Sequence, residues 1–292
     1  MFITWNEKLR MPSDEFISLS KPARFYDLMS PGATIVPSEL ATPAQLKAVH
    51  ADTYVDDVLA GRTAHGFGFE PRVLEQILAA NGALIAAVRL VTEERVPICC
   101  APVSGFHHAG LSTAWGFCTF NGLMAAVFEA RARGYARRVL IVDGDGHYGD
   151  GTADIISRHH VDAVQNFSLR SPRSRAHWAG HLEDALQSER WDLILYQSGA
   201  DSHVSDPYGV GYLDDRDWAL RDDMVFSYAT RHGIPCVWNL AGGYNGDKTI
   251  ELHAATARAA YLYTRSATEG AIAAQNRQPT DGPAFGELRT PE

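Results

Sequence analysis

Short apolar runs alternate with longer amphipathic stretches along this chain, and that alternation limits the fold more than any other feature. Residues 96–103, 139–143, 163–168, 193–198 and 235–240 are apolar-rich and mostly bounded by polar, glycine or proline residues. A strand buried on both faces reads this way, without the strict in–out alternation of a half-exposed strand. Between these runs, residues 119–134, 152–160, 183–190 and 215–233 carry helical patterning, with Gly134 and Gly233 at two C-terminal ends. Residues 43–58 read as a further helix, with Thr42 as N-cap, Pro43 in the first helical position and Gln45 closing a capping box. Residues 62–70, rich in glycine and aromatics, read as a loop, and residues 246–264 as the last helix. The pattern predicts an α/β fold, a single domain with a mostly parallel central sheet flanked by helices on both faces. That domain is expected over residues 1–265. From Ser266 the chain turns polar and collects Pro279, Pro283 and Pro291, so residues 266–292 are expected to form a loosely ordered C-terminal tail.

Composition narrows the class. A chain of 292 residues with 46% hydrophobic and 21% charged residues can bury a large core without disulfide staples. Its net charge of −9 lacks the basic footprint of a nucleic-acid binder. Cys99, Cys100, Cys118 and Cys236 form no C-x-x-C pair and read as buried, reduced thiols of a cytoplasmic protein. Residues 1–10 lack the apolar core of a signal peptide, and no run of eighteen apolar residues occurs, so no leader and no membrane span are expected.

Ligands of open parallel sheets bind beyond the carboxyl ends of the strands, and the unusual residues of this chain fall there repeatedly. His107 and His108 follow the first apolar run. Asp143, Asp145, His147 and Asp150 end or follow the second, Asp201 and His203 follow the fourth, and Tyr244 follows the fifth. Asp145 and His147 are two residues apart, so an extended segment points both side chains the same way. A carboxylate and an imidazole together suit a divalent metal such as zinc, and Asp201 offers a third ligand, leaving a position open for water and a substrate carbonyl.

Taken in order, Ser104-Gly-Phe-His-His-Ala109, Gly116-Phe-Cys-Thr-Phe-Asn121, Asp143-Gly-Asp-Gly-His-Tyr-Gly-Asp-Gly151, Gly199-Ala-Asp-Ser202 and Leu240-Ala-Gly-Gly-Tyr-Asn245 resemble the histone deacetylase and acetylpolyamine amidohydrolase family, of the arginase–deacetylase fold. The likeness extends roughly from His50 to Thr256. It implies a zinc-dependent hydrolase that removes an acetyl or similar acyl group from an amine, with one Zn2+ per chain held by Asp145, His147 and Asp201. His108 is then the general base, His107 assists electrostatically, and Asp143 and Asp150 orient His107 and His108 respectively. Tyr244 matches the tyrosine that donates to the developing oxyanion. Gly116 and Phe117 match a segment lining a narrow acyl-lysine tunnel, and Glu70 falls where a rim carboxylate holds substrate. The resemblance also implies a structural K+ near Asp143, Asp145, His147, Ser168 and Leu169. His203 and Tyr208 are expected in the pocket wall and mouth.

The chain departs from the family pattern at Tyr148, where a second histidine is usual, and at Ala241, where a glycine is usual. The family's N-terminal opening is not recognisable before Leu46, which leaves the rim short or completed by a second subunit. The expected substrate is an acylated amine, either a small molecule such as an acetylpolyamine or an acyl-lysine peptide. A homo-oligomer fits this reading; nucleic acid and membrane do not. Two other readings stand beside the hydrolase: a non-catalytic, zinc-containing sensor of acylated ligands, and a ureohydrolase-like enzyme on two metals. The presence together of His107, His108, Asp143, Asp150 and Tyr244 favours the hydrolase.

Overall fold

The computed structural model describes residues 1–12, 16–169, 175–209 and 211–275. In chain order the elements are β1 (Phe2–Trp5), α1 (Ile17–Met29), β2 (Thr34–Pro37), α2 (Pro43–Lys47), α3 (Asp52–Leu59), α4 (Pro71–Glu93), β3 (Ile98–Ala101), α5 (Gly122–Ala132), β4 (Val139–Asp143), α6 (Asp150–Arg158), β5 (Val164–Ser168), α7 (Arg175–Gln187), β6 (Leu193–Gln197), α8 (Asp215–His232), β7 (Cys236–Asn239) and α9 (Gly246–Gln275). The strands form a 7-stranded sheet in the order β2-β1-β3-β7-β6-β4-β5, and every pairing is parallel. This is the expected parallel α/β architecture, with all seven carboxyl ends on one edge.

Both faces of the central strands are apolar because both are covered. Val139, Ile141, Leu193, Leu195, Cys99 and Val237 pack into one core with α4 and α5. Leu140, Val142, Ile194, Tyr196, Cys100 and Trp238 pack into the other, with α7, α8 and α9. Successive side chains of a strand point to opposite faces, so two buried faces require an unbroken apolar run. All four cysteines are free and buried, three of them on β3 and β7. Gly233, with φ 63, ends α8 in the left-handed conformation that glycine adopts without strain, and the capping box of Thr42 and Gln45 opens α2.

Sequence patterning marks none of β1, β2, α1 and α4. The two strands span four residues each, and β2 lies half-exposed on the sheet edge, too short for a period to register. Helix α1 carries Pro22 in its interior. Helix α4 is wedged between the sheet and α5, so its apolar stripe is broad and little polar face remains to reveal the period. By length and composition α4 could cross a membrane, but here it is a core helix. Helix α7 begins eight residues earlier than its sequence pattern indicates, at Arg175. The last helix continues to Gln275, past the expected end at residue 264, so the first residues of the expected tail are helical; residues 276–292 lie outside the described residues.

The helix expected over residues 43–58 is instead two, and His50 is the reason. Its ring is buried, and the Asn121 N–H donates to Nε2 at 2.9 Å. Nδ1 therefore carries the proton and donates to the Gly110 carbonyl at 2.9 Å. The next backbone N–H, of Ala51, is drawn to the Leu111 carbonyl at 3.0 Å, which breaks the helical ladder. His50 thus pins the loop leading from the tandem histidines. Burial lowers its pKa to about 4, so it folds as the neutral form. The unfolded chain binds this proton more tightly, so the contribution is complete above about pH 6.5 and is lost as pH falls toward 4. The window is worth on the order of 3 kcal/mol. Urea unfolding of the native chain is expected to lose stability more steeply between pH 6.5 and pH 4 than unfolding of His50→Gln; equal slopes would refute this role.

Candidate metal centre and active site

Four adjacent strands, β3, β7, β6 and β4, end at the same edge and deliver the chemistry-bearing loops side by side. Asp143 is the last residue of β4, and the loop after it carries Asp145 and His147 before α6 begins at Asp150. A short 3-10 turn, Ala200–Ser202, follows β6 and holds Asp201. Beyond β7 the chain passes Ala241 and Gly243, both at positive φ, before reaching Tyr244.

Ligand atoms of Asp145, His147 and Asp201 all lie within 4.8 Å of one another. His147 Nδ1 is 3.0 Å from Asp201 Oδ2 and 3.3 Å from Asp145 Oδ1. Both carboxylates are buried and held by backbone donors. Gly146 N–H donates to Asp201 Oδ1 at 2.9 Å, and Gly242 N–H donates to Asp145 Oδ2 at 2.8 Å. A side chain at Gly242 is excluded, since its Cβ would lie 2.3 Å from Asp201 Oδ2 and 2.6 Å from Asp145 Oδ2. Two buried carboxylates this close repel. Burial and the neighbouring Asp145 push the Asp201 pKa up to about 7. A cation relieves that repulsion, and two carboxylates with one imidazole are donors that fit a divalent metal.

Each tandem histidine is held by its own carboxylate. His107 Nδ1 lies 2.7 Å from Asp143 Oδ2, and both residues are buried. Asp143 Oδ1 accepts in turn from Gln197 Nε2 at 3.0 Å. His108 Nδ1 lies 2.6 Å from Asp150 Oδ1, in a more open setting. The environments separate the two rings. Burial disfavours a charge on His107, but Asp143 and Asp145 outweigh it and raise its pKa to about 10. Burial and the adjacent His107 charge lower that of His108. Burial and the carboxylates Asp145 and Asp201 push the Tyr244 phenol up, so it remains a proton donor.

The entrance is aromatic. The Phe117 ring stacks on Phe67 with centroids 5.3 Å apart and lies 6.3 Å from that of Tyr244, and Tyr208 packs edge-on against Tyr244 at 5.7 Å. Gly116 turns beneath His108, and its carbonyl accepts from the Cys118 thiol. The remaining expected residues make the following contacts. Glu70 is the N-cap of α4, accepting from Arg72 N–H at 3.2 Å. His203 is buried beneath the rim, its nitrogens facing Ser205 and Asp215 and its ring against Trp218. Ser168 Oγ lies 3.4 Å from the His147 carbonyl, whereas the Leu169 carbonyl accepts from Tyr212 and the Asp143 carbonyl from Leu169 N–H.

Sequence reasoning missed residues that support this site. Asp206 Oδ2 accepts the Tyr244 backbone N–H at 2.6 Å, while its Oδ1 accepts from Tyr208 and Gly209. Lys21 of α1 is fully buried and donates to the Ala241 carbonyl; burial lowers its pKa to about 8, against the pull of Asp201 and Asp145. Nothing in the sequence near Lys21 marked it as part of the site.

The comparisons with known proteins agree first on a class. The chain superposes on the crystal structure of the HDA15 HD domain with a TM-score of 0.72, over 90% of each chain at 20% identity, which shows a shared fold. An uncharacterized protein of Picosynechococcus sp. is 28% identical over 80% of this chain and 88% of its own length. A probable deacetylase of Methanothermobacter thermautotrophicus is 26% identical over 68% of this chain and 70% of its own. Histone deacetylase 2 of Arabidopsis thaliana is 25% identical over 73% of this chain and 63% of its own, so the chain spans less than two thirds of that relative. The class is that of deacetylase-type amidohydrolases. Residues 20–177, more than half of the chain, match the histone deacetylase domain, and the protein belongs to that family.

Removing one buried carboxylate tests whether this cluster binds a metal. Asp201→Asn is expected to weaken Zn2+ binding by at least the roughly 10–100-fold that loss of an outer-shell partner costs. Chelator competition measures this, and unchanged affinity would place the metal elsewhere.

Proposed function

We propose that the protein is a zinc-dependent deacylase that hydrolyses an acylated amine of the acetyl-lysine or acetylpolyamine type. One observation carries this reading: two carboxylate-anchored imidazoles stand beside the Asp145–His147–Asp201 cluster in unlike environments. A divalent cation at that cluster supplies Lewis acidity toward an amide carbonyl and makes bound water more acidic. Among the described residues there is one such three-ligand cluster, which supports a single metal over a two-metal centre.

The chain's own groups divide the remaining work. His108 keeps Nδ1 on Asp150, so Nε2 is its free nitrogen. With its lowered pKa it is neutral at physiological pH, able to take a proton from the attacking water and pass one to the departing amine as the C–N bond breaks. His107, buried beside the cluster and anchored by Asp143, is placed to stabilise negative charge nearby. The Tyr244 hydroxyl donates to the carbonyl oxygen as charge builds there. Phe117, Phe67 and Tyr244 form an apolar passage suited to a methylene stem.

Acetate release from N-acetylputrescine and from an ε-acetyl-lysine peptide tests the proposal and separates the two substrate types. Tyr244→Phe is expected to lower kcat by about 10²–10³. His108→Ala is expected to lose about 10²–10⁴, with Zn2+ still bound in both variants. Near wild-type turnover in both would overturn the assigned mechanism.

A further inference from the structure

One buried cation in this fold takes no part in the chemistry described above. Arg221, on the inner face of α8, is fully buried, and its guanidinium carbon lies 3.9 Å from the centre of the Trp218 ring. Its donors reach the two loops that carry the acidic ligands. Nη1 donates to the Gly144 carbonyl at 2.9 Å and to the Gly199 carbonyl at 3.3 Å. The same nitrogen donates to Ser202 Oγ at 3.0 Å, and Nη2 donates to Ser198 Oγ at 3.0 Å. Ser202 Oγ also donates to the Gly199 carbonyl at 2.8 Å.

The placement is specific. Gly144 immediately precedes Asp145, and Ser202 immediately follows Asp201. One planar guanidinium therefore ties the backbone beside one acidic ligand to the backbone and side chain beside the other, across the ends of β4 and β6. Few side chains can do this, since it requires several donors in a rigid fork, and a lysine offers a single nitrogen. Stacking on Trp218 holds the plane, and the approach is close: a Cβ at Gly144 would lie 3.2 Å from Arg221 Nη1. Beside this tie, the Gly146 N–H to Asp201, the shared His147, and Gly242, which donates to Asp145 and accepts from the Ala200 N–H, link the two loops at the ligands.

We infer that Arg221 is a positioning residue that sets the separation of Asp145 and Asp201, and so the affinity and geometry of the metal site. This rests on the reading of that cluster as a metal centre. It concerns a residue outside the cluster, which holds the backbone and touches neither ligand's carboxylate.

The test uses the full chain with Zn2+ and Co2+ as probes. Arg221→Lys is expected to weaken Zn2+ binding about 10–100-fold by chelator competition, and to alter the visible absorption of the Co2+-loaded protein, which reports ligand geometry. Ser202→Ala, which removes one arm of the tie and keeps the arginine, should shift both readouts in the same direction by less. Urea unfolding in the presence of EDTA separates these effects from a general loss of stability. If folded variants bind Zn2+ with the wild-type Kd and give the wild-type Co2+ spectrum, the inference is overturned. If Arg221→Lys does not fold, Ser202→Ala alone decides by the same readouts. A wild-type chain that takes up no stoichiometric Zn2+ would instead overturn the metal reading, and this inference with it.

Discussion

Two carboxylates, Asp145 and Asp201, are buried close enough to share one imidazole, and much of the surrounding structure exists to make that tolerable. Burying like charges together is costly unless donors or a cation compensate. The compensation comes from separate strand ends. Gly146 supplies an N–H from the loop after β4, and Gly242 supplies another from the loop after β7. Gly242 can approach this closely only because it has no side chain. Lys21 and Arg221 bring buried positive charge to the surrounding loops from opposite ends of the chain. The arrangement concentrates buried negative charge that a further cation can offset, which suits a metal site.

The same economy of buried charge distinguishes the two histidines. Asp143 is sealed at the end of β4 and held by Gln197, so its partner His107 lies deep beside the cluster and is held positive. Asp150 opens α6 at the edge of the cleft, more than half exposed, and its partner His108 feels the His107 charge and stays neutral. One Asp–His pairing, used twice at different depths, places the two imidazoles in unlike electrostatic environments. Depth is set by position: one carboxylate ends a central strand and the other starts a helix on the rim.

Much of the centre of this design was legible in the sequence. The apolar runs that became β3 to β7 had to lie inside a sheet covered on both faces, and the polar residues after them had to meet at one edge, because parallel strands share their direction. Asp145, His147 and Asp201, the tandem histidines with their carboxylates, and Tyr244 were all visible as strand-end residues. The edges of the design were not legible. Helix α4 showed no clear period because it is covered on most sides. The break between α2 and α3 left no local signal, since it depends on His50 reaching residues far along the chain. The cap that Glu70 forms on α4 and the burial of His203 against Trp218 also left no local signal.

The sequence by itself determined the central strands β3 to β7, most of the helices between them and the chemical types gathered at their ends, because these follow from local periodicity and from residue identity. Tertiary structure alone decided which groups are buried together, and therefore which are charged. The depth of His107, the crowding of Asp145 against Asp201 and the reach of Lys21 and Arg221 to the carbonyls beside them are contacts between segments distant in sequence. Local propensity does not encode such contacts; the strand order of the sheet creates them.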